Sequence, residues 1–250
     1  IISLFLILYL KYLSCDNWNL NNKFIAVSGG TKGIGKAIIE ELCELGGIVL
    51  TCSRNQIDLE NCLNEWKGKG YSVYGCTADV STITGRDDFV KFCLEKTNNK
   101  LHALVNNVGS NIRKRFVDYD EVEYEKIMST NLKSAFYLTK GFHNALKSTA
   151  NIEKISTSVV NIGSVAGGCN VAIKSGVIYA MTKAAMNQMT MNLACEFAIE
   201  NIRVNTVSPW YIDTPLAQQV LSNQTYLEEI LNRTPFRRIG KPSEVSSLVA

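Results

Sequence analysis

The amino-acid sequence predicts a single-domain α/β fold with a doubly wound parallel sheet. Two observations support this fold class: apolar runs alternate with helix-like segments, and a glycine-rich turn joins the first run to the first helix. Near-continuous apolar runs are typical of parallel strands that are covered on both faces. With 250 residues, of which 46% are hydrophobic and 20% charged, the chain can bury the core of one large domain.

The strands and helices alternate along the whole chain after residue 18. The predicted strands are Phe24–Gly30, Ile48–Ser53, Tyr71–Val80, Ala103–Gly109, Ser158–Ser164 and Arg203–Pro209. The helices predicted between them are Lys36–Gly46, Leu59–Gly68, Asp87–Asn98, Asp120–Leu146 and Ile178–Glu200. No internal repeat, long linker or change in composition divides the chain, so we expect one domain.

The N-terminus departs from this pattern. The segment Ile1–Leu10 carries no charge, but a membrane span needs about 20 apolar residues. The segment resembles the apolar core of a signal peptide without a preceding basic segment. A truncated targeting segment, a membrane-proximal tail and sequence outside the mature protein all stay open. We expect residues 1–16 to lie outside the core and residues 17–250 to form the folded domain.

Charge and cysteine usage exclude several classes of function. The net charge is +3, without the clusters of like charge that bind nucleic acid or an anionic membrane. The eight cysteines are scattered without a CxxC pair, which favours reduced thiols and predicts no metal site. We therefore expect a cytoplasmic protein. Endoplasmic reticulum or membrane association is the alternative if the N-terminal apolar segment is genuine.

The turn "SGGTKGIGKAI" predicts a dinucleotide site. Gly29, Gly33 and Gly35 follow an apolar strand and open a helix, which is the context that a Rossmann-type phosphate turn requires. The turn must be tight, the backbone must approach a pyrophosphate closely, and the helix N-terminus offers N–H groups to the anion. The turn residues expected at the cofactor are Gly29, Thr31, Lys32, Gly33, Ile34 and Gly35.

The end of the second predicted strand favours NADP(H) over NAD(H). An acidic residue there would hold the ribose 2′-hydroxyl of NAD, but this chain has Ser53 and Arg54 at that place. Arg54, with Lys32 in the glycine turn, would suit a 2′-phosphate, because a guanidinium grips phosphate with forked hydrogen bonds.

Tyr179 and Lys183 form a candidate catalytic pair. They lie four residues apart in a predicted helix, so they share one face, one turn apart. A cation close to a phenol lowers its pKa and improves it as a proton donor near neutral pH. The same spacing also occurs on ordinary helix surfaces, so the pair alone does not decide the function.

Several longer motifs resemble the short-chain dehydrogenases/reductases, and among them the plant tropinone reductase-like group. They are "NNVGSNIRK" (Asn106–Lys114), "MNQMTMNLACEFA" (Met186–Ala198), "IRVNTVSPWYIDTPL" (Ile202–Leu216) and the opening "NWNL". The resemblance runs from about Asn17 to the end of the chain. It implies a further strand that follows the final segment "PSEVSSLVA", so we expect this sequence to be a fragment that lacks the last strand of the sheet.

The resemblance implies a role for each matching position. The implied catalytic residues are Asn131, Ser164, Tyr179 and Lys183. At the cofactor, the resemblance further implies Asp79 and Val80 at the adenine and Asn106, Val108 and Gly109 along the cleft. It implies Pro209, Ile212 and Thr214 at the nicotinamide. Tyr179 and Lys183 are also expected to contact the cofactor. The residues expected at the substrate are Ser164, Tyr179 and Trp210.

These residues predict NADPH-dependent reduction of a small, largely apolar ketone, with cyclic ketones as first candidates. Tyr179 would donate the proton, and the segment after Pro209 would close over the substrate. Asp213, Glu228 and Glu229 could attract a substrate amine, although solvated helix charges explain them better. The resemblance also implies a homodimer or homotetramer. The alternative function is an NADP-binding sensor or scaffold that does not turn over.

Overall fold

The computed structural model of the protein describes residues 19–168 and 173–250. The apolar segment at residues 1–16 and the start of the resemblance at Asn17 lie outside the described residues. The strands are β1 (Phe24–Ser28), β2 (Ile48–Ser53), β3 (Val73–Thr77), β4 (Ala103–Asn106), β5 (Thr157–Ile162) and β6 (Ile202–Val207). They form one parallel sheet in the order β3-β2-β1-β4-β5-β6. This order confirms the predicted doubly wound α/β fold.

Helices cover both faces of the sheet. They are α1 (Gly33–Glu44), α2 (Gln56–Gly68), α3 (Ile83–Lys96), α4 (Glu121–Met128), α5 (Ser134–Glu153), α6 (Val177–Phe197), α7 (Pro215–Leu221), α8 (Gln224–Asn232) and α9 (Pro242–Val249). None of the helices in the described ranges is both long enough and apolar enough to cross a bilayer.

Two hydrophobic cores hold these layers together. On one face, Phe89 of α3 meets Phe142 of α5 edge to face, with ring centroids 5.9 Å apart. On the other face, Trp66 of α2 packs with Ile38 and Ile39 of α1. All five side chains are fully buried, and aromatic burial of this kind contributes much of the stability of a core. Helices therefore bury apolar side chains against both sides of the sheet.

The predicted third strand is longer than the observed one. Residues Tyr71–Val80 were expected to be extended, but β3 ends at Thr77. The backbone turns at Asp79, whose carbonyl oxygen accepts the N–H of Thr82 at 3.0 Å. Thr82 in turn caps α3 by accepting the N–H of Gly85. The cap satisfies backbone groups that a longer strand would leave unpaired at the edge of the sheet.

The long helix predicted at Asp120–Leu146 is interrupted. It begins with a capping box between Asp120 and Glu123, and a π-helical turn at Ser129–Lys133 separates α4 from α5. The wider turn places Asn131 in the interior, where its side chain is 0% exposed. Single π-helical turns inside helices are frequent at functional sites.

The last two segments add smaller contacts. The segment "PSEVSSLVA" contains α9, and Ser246 donates a hydrogen bond to Glu41 of α1 at 3.1 Å. Helices α7 and α8 form a separate apolar cluster with Tyr211, outside the main cores. This cluster corresponds to the segment that was expected to fold over a substrate.

A buried polar chain joins the carboxyl ends of β4, β5 and β6. The Asn106 amide donates to Asn161 Oδ1 at 2.8 Å, and the Asn161 amide donates to Thr190 Oγ1 at 2.9 Å. Thr190 and Thr206 then share a hydrogen bond of 2.7 Å. Because buried polar groups are costly when unpaired, this chain fixes the relative positions of the three strand ends.

Replacing Asn161 should therefore destabilise the fold. Asn161→Ala leaves the amide of Asn106 and the hydroxyl of Thr190 without this partner, and we expect a loss of about 2 to 4 kcal/mol in the free energy of unfolding. Urea denaturation measures this loss. Asn205→Ala, the same change at an exposed position of β6, is the control and should cost little. A loss at Asn161 no larger than at Asn205 would show that the polar chain does not support the sheet.

Candidate active site

A cleft of about 930 Å³ opens at the carboxyl ends of the strands. It lies where the strand order reverses between β1 and β4, which is the place where open α/β sheets bind ligands. The glycine turn after β1, the ends of β2, β4 and β5, the start of α7 and the face of α6 form its walls. Cofactor and substrate would both have to fit in this volume.

The glycine turn can receive a pyrophosphate. Gly29 and Gly33 have positive φ angles of 74° and 56°, which L side chains rarely adopt. A Cβ on Gly35 would clash with the carbonyl oxygen of Gly29 and the amide of Asn107. The first turn of α1 carries no acidic residue, so its backbone N–H groups face an anion without a competing charge.

Asn107 fixes the glycine turn to β4. Its side-chain amide donates to the carbonyl oxygens of Ser28 at 3.1 Å and Gly29 at 2.8 Å. Its backbone N–H also donates to the Ser28 hydroxyl at 3.1 Å. The two strands that flank the reversal of strand order are therefore tied together directly beneath the proposed phosphates.

The adenosine end of the cleft contains one carboxylate that was not anticipated. Lys32 Nζ lies 2.5 Å from Asp58 Oδ2 in the first turn of α2, so the charge of Lys32 is already paired. Arg54 is exposed and lines the same end; no ion pair joins it to a carboxylate among the described residues. Arg54 is thus the cation available there for an anionic group. Ser53 lies beside it and shares a 3.4 Å contact with Thr31 Oγ1.

Most of the predicted site residues meet in this cleft. Those that line it are Gly29, Thr31, Lys32, Gly33, Ile34, Ser53, Arg54, Asp79, Val80, Val108, Gly109, Ser164, Tyr179, Lys183, Pro209, Trp210, Ile212 and Thr214. Three others lie behind its walls. Gly35 supports the turn from below, Asn131 lies behind Gly109, and Asn106 is part of the buried polar chain. Asn106 is buried, and its amide donates to Thr139 Oγ1 and Asn161 Oδ1 and not into the cleft.

The Lys183 ammonium group is buried at the floor of the cleft. The residue is 3% exposed, and Nζ donates a hydrogen bond of 2.7 Å to the carbonyl oxygen of Ile162 at the end of β5. Burial lowers the pKa of Lys183 to about 8, because removing a charge from water is unfavourable. The group is still mostly protonated at neutral pH and keeps N–H bonds for a further partner.

Tyr179 lies one helical turn before Lys183, whose Nζ is 5.7 Å from the phenol ring centroid. Burial raises the pKa of Tyr179, while a hydrogen bond with Ser164 and the charge of Arg113 act to lower it. The lowering of this pKa by the Lys183 ammonium stays a prediction. The charge of Arg113, a residue that was not predicted from the sequence, acts to lower the Tyr179 pKa but does not outweigh burial.

Asn131 and Lys183 approach the same point beside Gly109. Asn131 Oδ1 accepts the N–H of Ser110 at 2.8 Å, and its amide donates to the Ser110 carbonyl at 2.9 Å. A Cβ on Gly109 would lie 3.8 Å from Asn131 Oδ1 and 3.7 Å from Lys183 Nζ. The missing side chain of Gly109 therefore leaves room between these two polar groups.

Comparison with known proteins identifies the family. The family model described as short chain dehydrogenase matches residues 23–225. The chain belongs to the short-chain dehydrogenase family. A tropinone reductase homolog of Arabidopsis thaliana is 48% identical over 233 residues, which cover 93% of this chain and 86% of that protein. A tropinone reductase homolog of Datura stramonium is 43% identical over 235 residues, which cover 93% of this chain and 85% of that protein.

A solved structure shares the fold of this short-chain dehydrogenase. The complex of Pseudomonas aeruginosa RhlG with NADP is similar with a TM-score of 0.84 and 28% identity, over 92% of this chain and 89% of that chain. The resemblance to the tropinone reductase-like group is thereby confirmed at the level of family and fold, and the protein is an oxidoreductase of this family.

Three residues of this short-chain dehydrogenase site escaped the sequence analysis. Asn107 and Arg113 fall within "NNVGSNIRK", a motif that was noted only as a mark of the family. Tyr211 lines the cleft and shares a hydrogen bond of 2.5 Å with the Tyr226 hydroxyl. The spacing of these residues in the sequence did not predict a role in the site, because their side chains reach the cleft only once the loops are folded.

Replacing Lys183 should stabilise the protein at neutral pH. The folded pKa of about 8 lies below the ordinary value of 10.5, so protonation favours the unfolded chain. We expect Lys183→Met to raise the free energy of unfolding by roughly 1 to 2 kcal/mol at pH 7, after the lost hydrogen bond to Ile162 is subtracted. The gain should shrink as the pH rises from 8 towards 10.5, since the unfolded lysine then also loses its proton.

Urea denaturation at neutral and at alkaline pH measures this effect. Lys140→Met, which removes an exposed lysine from α5, is the matched control and should show no such pH dependence. A Lys183→Met protein that is less stable than its parent at pH 7 would contradict the idea that the buried ammonium is a net cost.

Proposed function

We propose that the protein is an NADP(H)-dependent carbonyl reductase that acts on a small ketone, with Tyr179 as the proton donor. The observation that carries the proposal is that Ser164, Tyr179 and Lys183 line the same cleft as the glycine turn. Each residue has an ordinary structural explanation by itself. Their convergence beside a phosphate-binding turn supports a common chemical role.

The choice of NADP(H) rests on the adenosine end of the cleft. Arg54 has no ion-pair partner among the described residues, and it lies at the end of β2, where the ribose 2′ position is expected. Asp58 does not oppose a 2′-phosphate strongly, because Lys32 neutralises it. The NADP complex of the related RhlG protein is consistent with this choice.

The residues around Tyr179 suit reduction of a carbonyl group. NADPH, when bound, supplies the hydride that adds to the carbonyl carbon. Negative charge then develops on the carbonyl oxygen, where Tyr179 donates a proton and Ser164 donates a hydrogen bond. Lys183 keeps donors for the cofactor ribose, and its charge stabilises the phenolate that remains. The space between Lys183 and Asn131 suits a water molecule, which would relay a proton from solvent to restore the Tyr179 hydroxyl.

The substrate end of the cleft favours a compact molecule. Trp210 lines it, and its indole N–H donates to Thr234 Oγ1 at 3.0 Å, which holds the ring against α8. Leu216 and Ile173 add apolar surface. Since the cofactor takes much of the volume, small ketones fit best, and cyclic ketones are the first to test.

Replacing the Tyr179 hydroxyl tests the chemical step. Tyr179→Phe should lower kcat for ketone reduction by about 10²- to 10⁴-fold, which is the usual contribution of a general acid. NADPH affinity, followed by cofactor fluorescence, should change little. Tyr74→Phe, the same change at an exposed position of β3, is the control and should match the parent. Ketone reduction at the parent rate by Tyr179→Phe would refute the assignment.

The same measurements address the binding-only alternative. If the purified protein binds NADPH but reduces none of a panel of small cyclic and acyclic ketones, a sensor or scaffold becomes the better interpretation.

Reversing the charge of Arg54 tests the choice of cofactor. Arg54→Asp should lower the ratio of kcat/KM with NADPH to that with NADH by at least about tenfold, because a charge-assisted hydrogen bond is replaced by repulsion. Steady-state kinetics with both cofactors measures the ratio. Lys140→Asp reverses an exposed charge outside the cleft and should leave the ratio unchanged. An unchanged ratio for Arg54→Asp would mean that Arg54 does not contact the 2′-phosphate.

A further inference from the structure

Arg113 brings a positive charge to the substrate end of the cleft. It lines the cleft together with Ser164 and Tyr179. Its positive charge acts to lower the pKa of the Tyr179 and Tyr211 phenols, against the larger effect of burial. The guanidinium group is therefore within reach of both the proposed proton donor and the segment that follows β6.

No carboxylate neutralises Arg113 among the described residues. Its neighbour Lys114 pairs with Glu123 at 2.5 Å, but no ion pair involves Arg113 itself. Moreover, Arg113 Nε is buried without a hydrogen-bond partner. A guanidinium held in a partly buried place without a counter-charge is unfavourable, so it is expected where a ligand supplies the missing partner.

In the described part of the chain, two further buried polar atoms without partners belong to Asn111 and Ser175. Asn111 Oδ1 and Ser175 Oγ also lack hydrogen bonds within the described ranges. The two residues are adjacent, because the Asn111 amide donates to the Ser175 carbonyl at 2.7 Å. Ser175 and Arg113 both line the cleft. The guanidinium of Arg113, unpaired among the described residues, makes this part of the wall suitable for an acceptor group, while Ser175 Oγ itself is buried.

The carboxylates that could attract a cation lie elsewhere. Of the acidic residues that line the cleft, Asp58 pairs with Lys32, and Asp79 accepts hydrogen bonds from Ser81; neither acts on Tyr179. Asp213 is bound by an exposed glutamine side chain and is not part of the cleft wall. The substrate end is thus positive, which disfavours a substrate amine.

We propose that the ketone substrate carries a carboxylate, which Arg113 binds while the carbonyl oxygen meets Tyr179 and Ser164. The planar guanidinium offers forked hydrogen bonds that match a carboxylate. The glycine turn and the N-terminus of α1 would receive the pyrophosphate, which leaves Arg113 available for the substrate. This inference rests on the proposed function, because Tyr179 marks where the carbonyl group binds.

Four ring ketones of similar size test the inference. They are cyclohexanone, a cyclohexanone that bears a carboxylate opposite the carbonyl group, the matching carboxamide, and an N-methyl piperidone that is cationic at neutral pH. The parent enzyme should reduce the carboxylate with kcat/KM at least tenfold above the carboxamide, and the cationic ketone should be the poorest substrate. Arg113→Gln should lower the carboxylate-to-carboxamide ratio at least tenfold.

Two variants serve as controls. Arg115→Gln removes the same charge from an exposed position outside the cleft and should keep the parental ratio. Arg113→Lys keeps the positive charge but loses the planar pair of N–H donors. Its carboxylate-to-carboxamide ratio should therefore fall between those of the parent and Arg113→Gln. It also tests the inference if the glutamine variant fails to fold.

A binding measurement separates this inference from the proposed function. Cyclohexanecarboxylate has no carbonyl group to reduce, and its binding to the enzyme–NADPH complex can be followed by cofactor fluorescence. We expect affinity to fall at least tenfold in Arg113→Gln. Binding of this carboxylate through Arg113 without reduction of any ketone would refute the proposed reductase and leave the carboxylate site standing.

Other outcomes would overturn the carboxylate site. If ketones are reduced but the parent does not distinguish carboxylate from carboxamide, the site is wrong and the reductase stands. The same conclusion follows if Arg113→Gln slows both substrates equally. If Arg113→Gln instead weakens NADPH binding tenfold and keeps the parental carboxylate-to-carboxamide ratio, the guanidinium binds the cofactor and not the substrate.

Discussion

The hydrogen bond from Lys183 to the Ile162 carbonyl is the constraint on which the site depends. It joins helix α6 to the end of β5, so the rotation of the helix is set by the sheet. Tyr179, one turn earlier on the same helix, then faces Ser164, which follows the same strand. A buried ammonium reduces stability, and its presence is typical of a site that trades stability for function.

Positively charged side chains lie along the whole cleft. At each end, one of these side chains has no carboxylate partner among the described residues. Arg54 lies at the adenosine end, Lys183 at the floor and Arg113 at the substrate end. Asp58 and Asp79 are engaged by neighbouring residues and do not reach the reacting centre. Such a cleft concentrates anions. The same positive charge would favour the binding of both a dinucleotide phosphate and an anionic ketone.

The parts of the fold that could be predicted are those with local causes. Buried parallel strands read as apolar runs, and the glycine turn has spacing and context that few other structures share. The end of β3 was placed too late, because the hydrogen bond that turns the chain at Asp79 has no periodic signature. The π-helical turn at Ser129–Lys133 also escaped, since a one-residue change in helix winding leaves the apolar pattern almost unaltered.

By itself, the sequence determined the α/β class, the phosphate turn and the helical spacing of Tyr179 and Lys183, because each depends on neighbours along the chain. Only the tertiary structure decided that Asn106 supports the sheet while Asn107 holds the turn, and that Arg113 lines the same cleft as Tyr179. These outcomes depend on the directions of side chains that come together from distant segments. Burial, which sets the pKa of Lys183, is likewise a property of the folded chain.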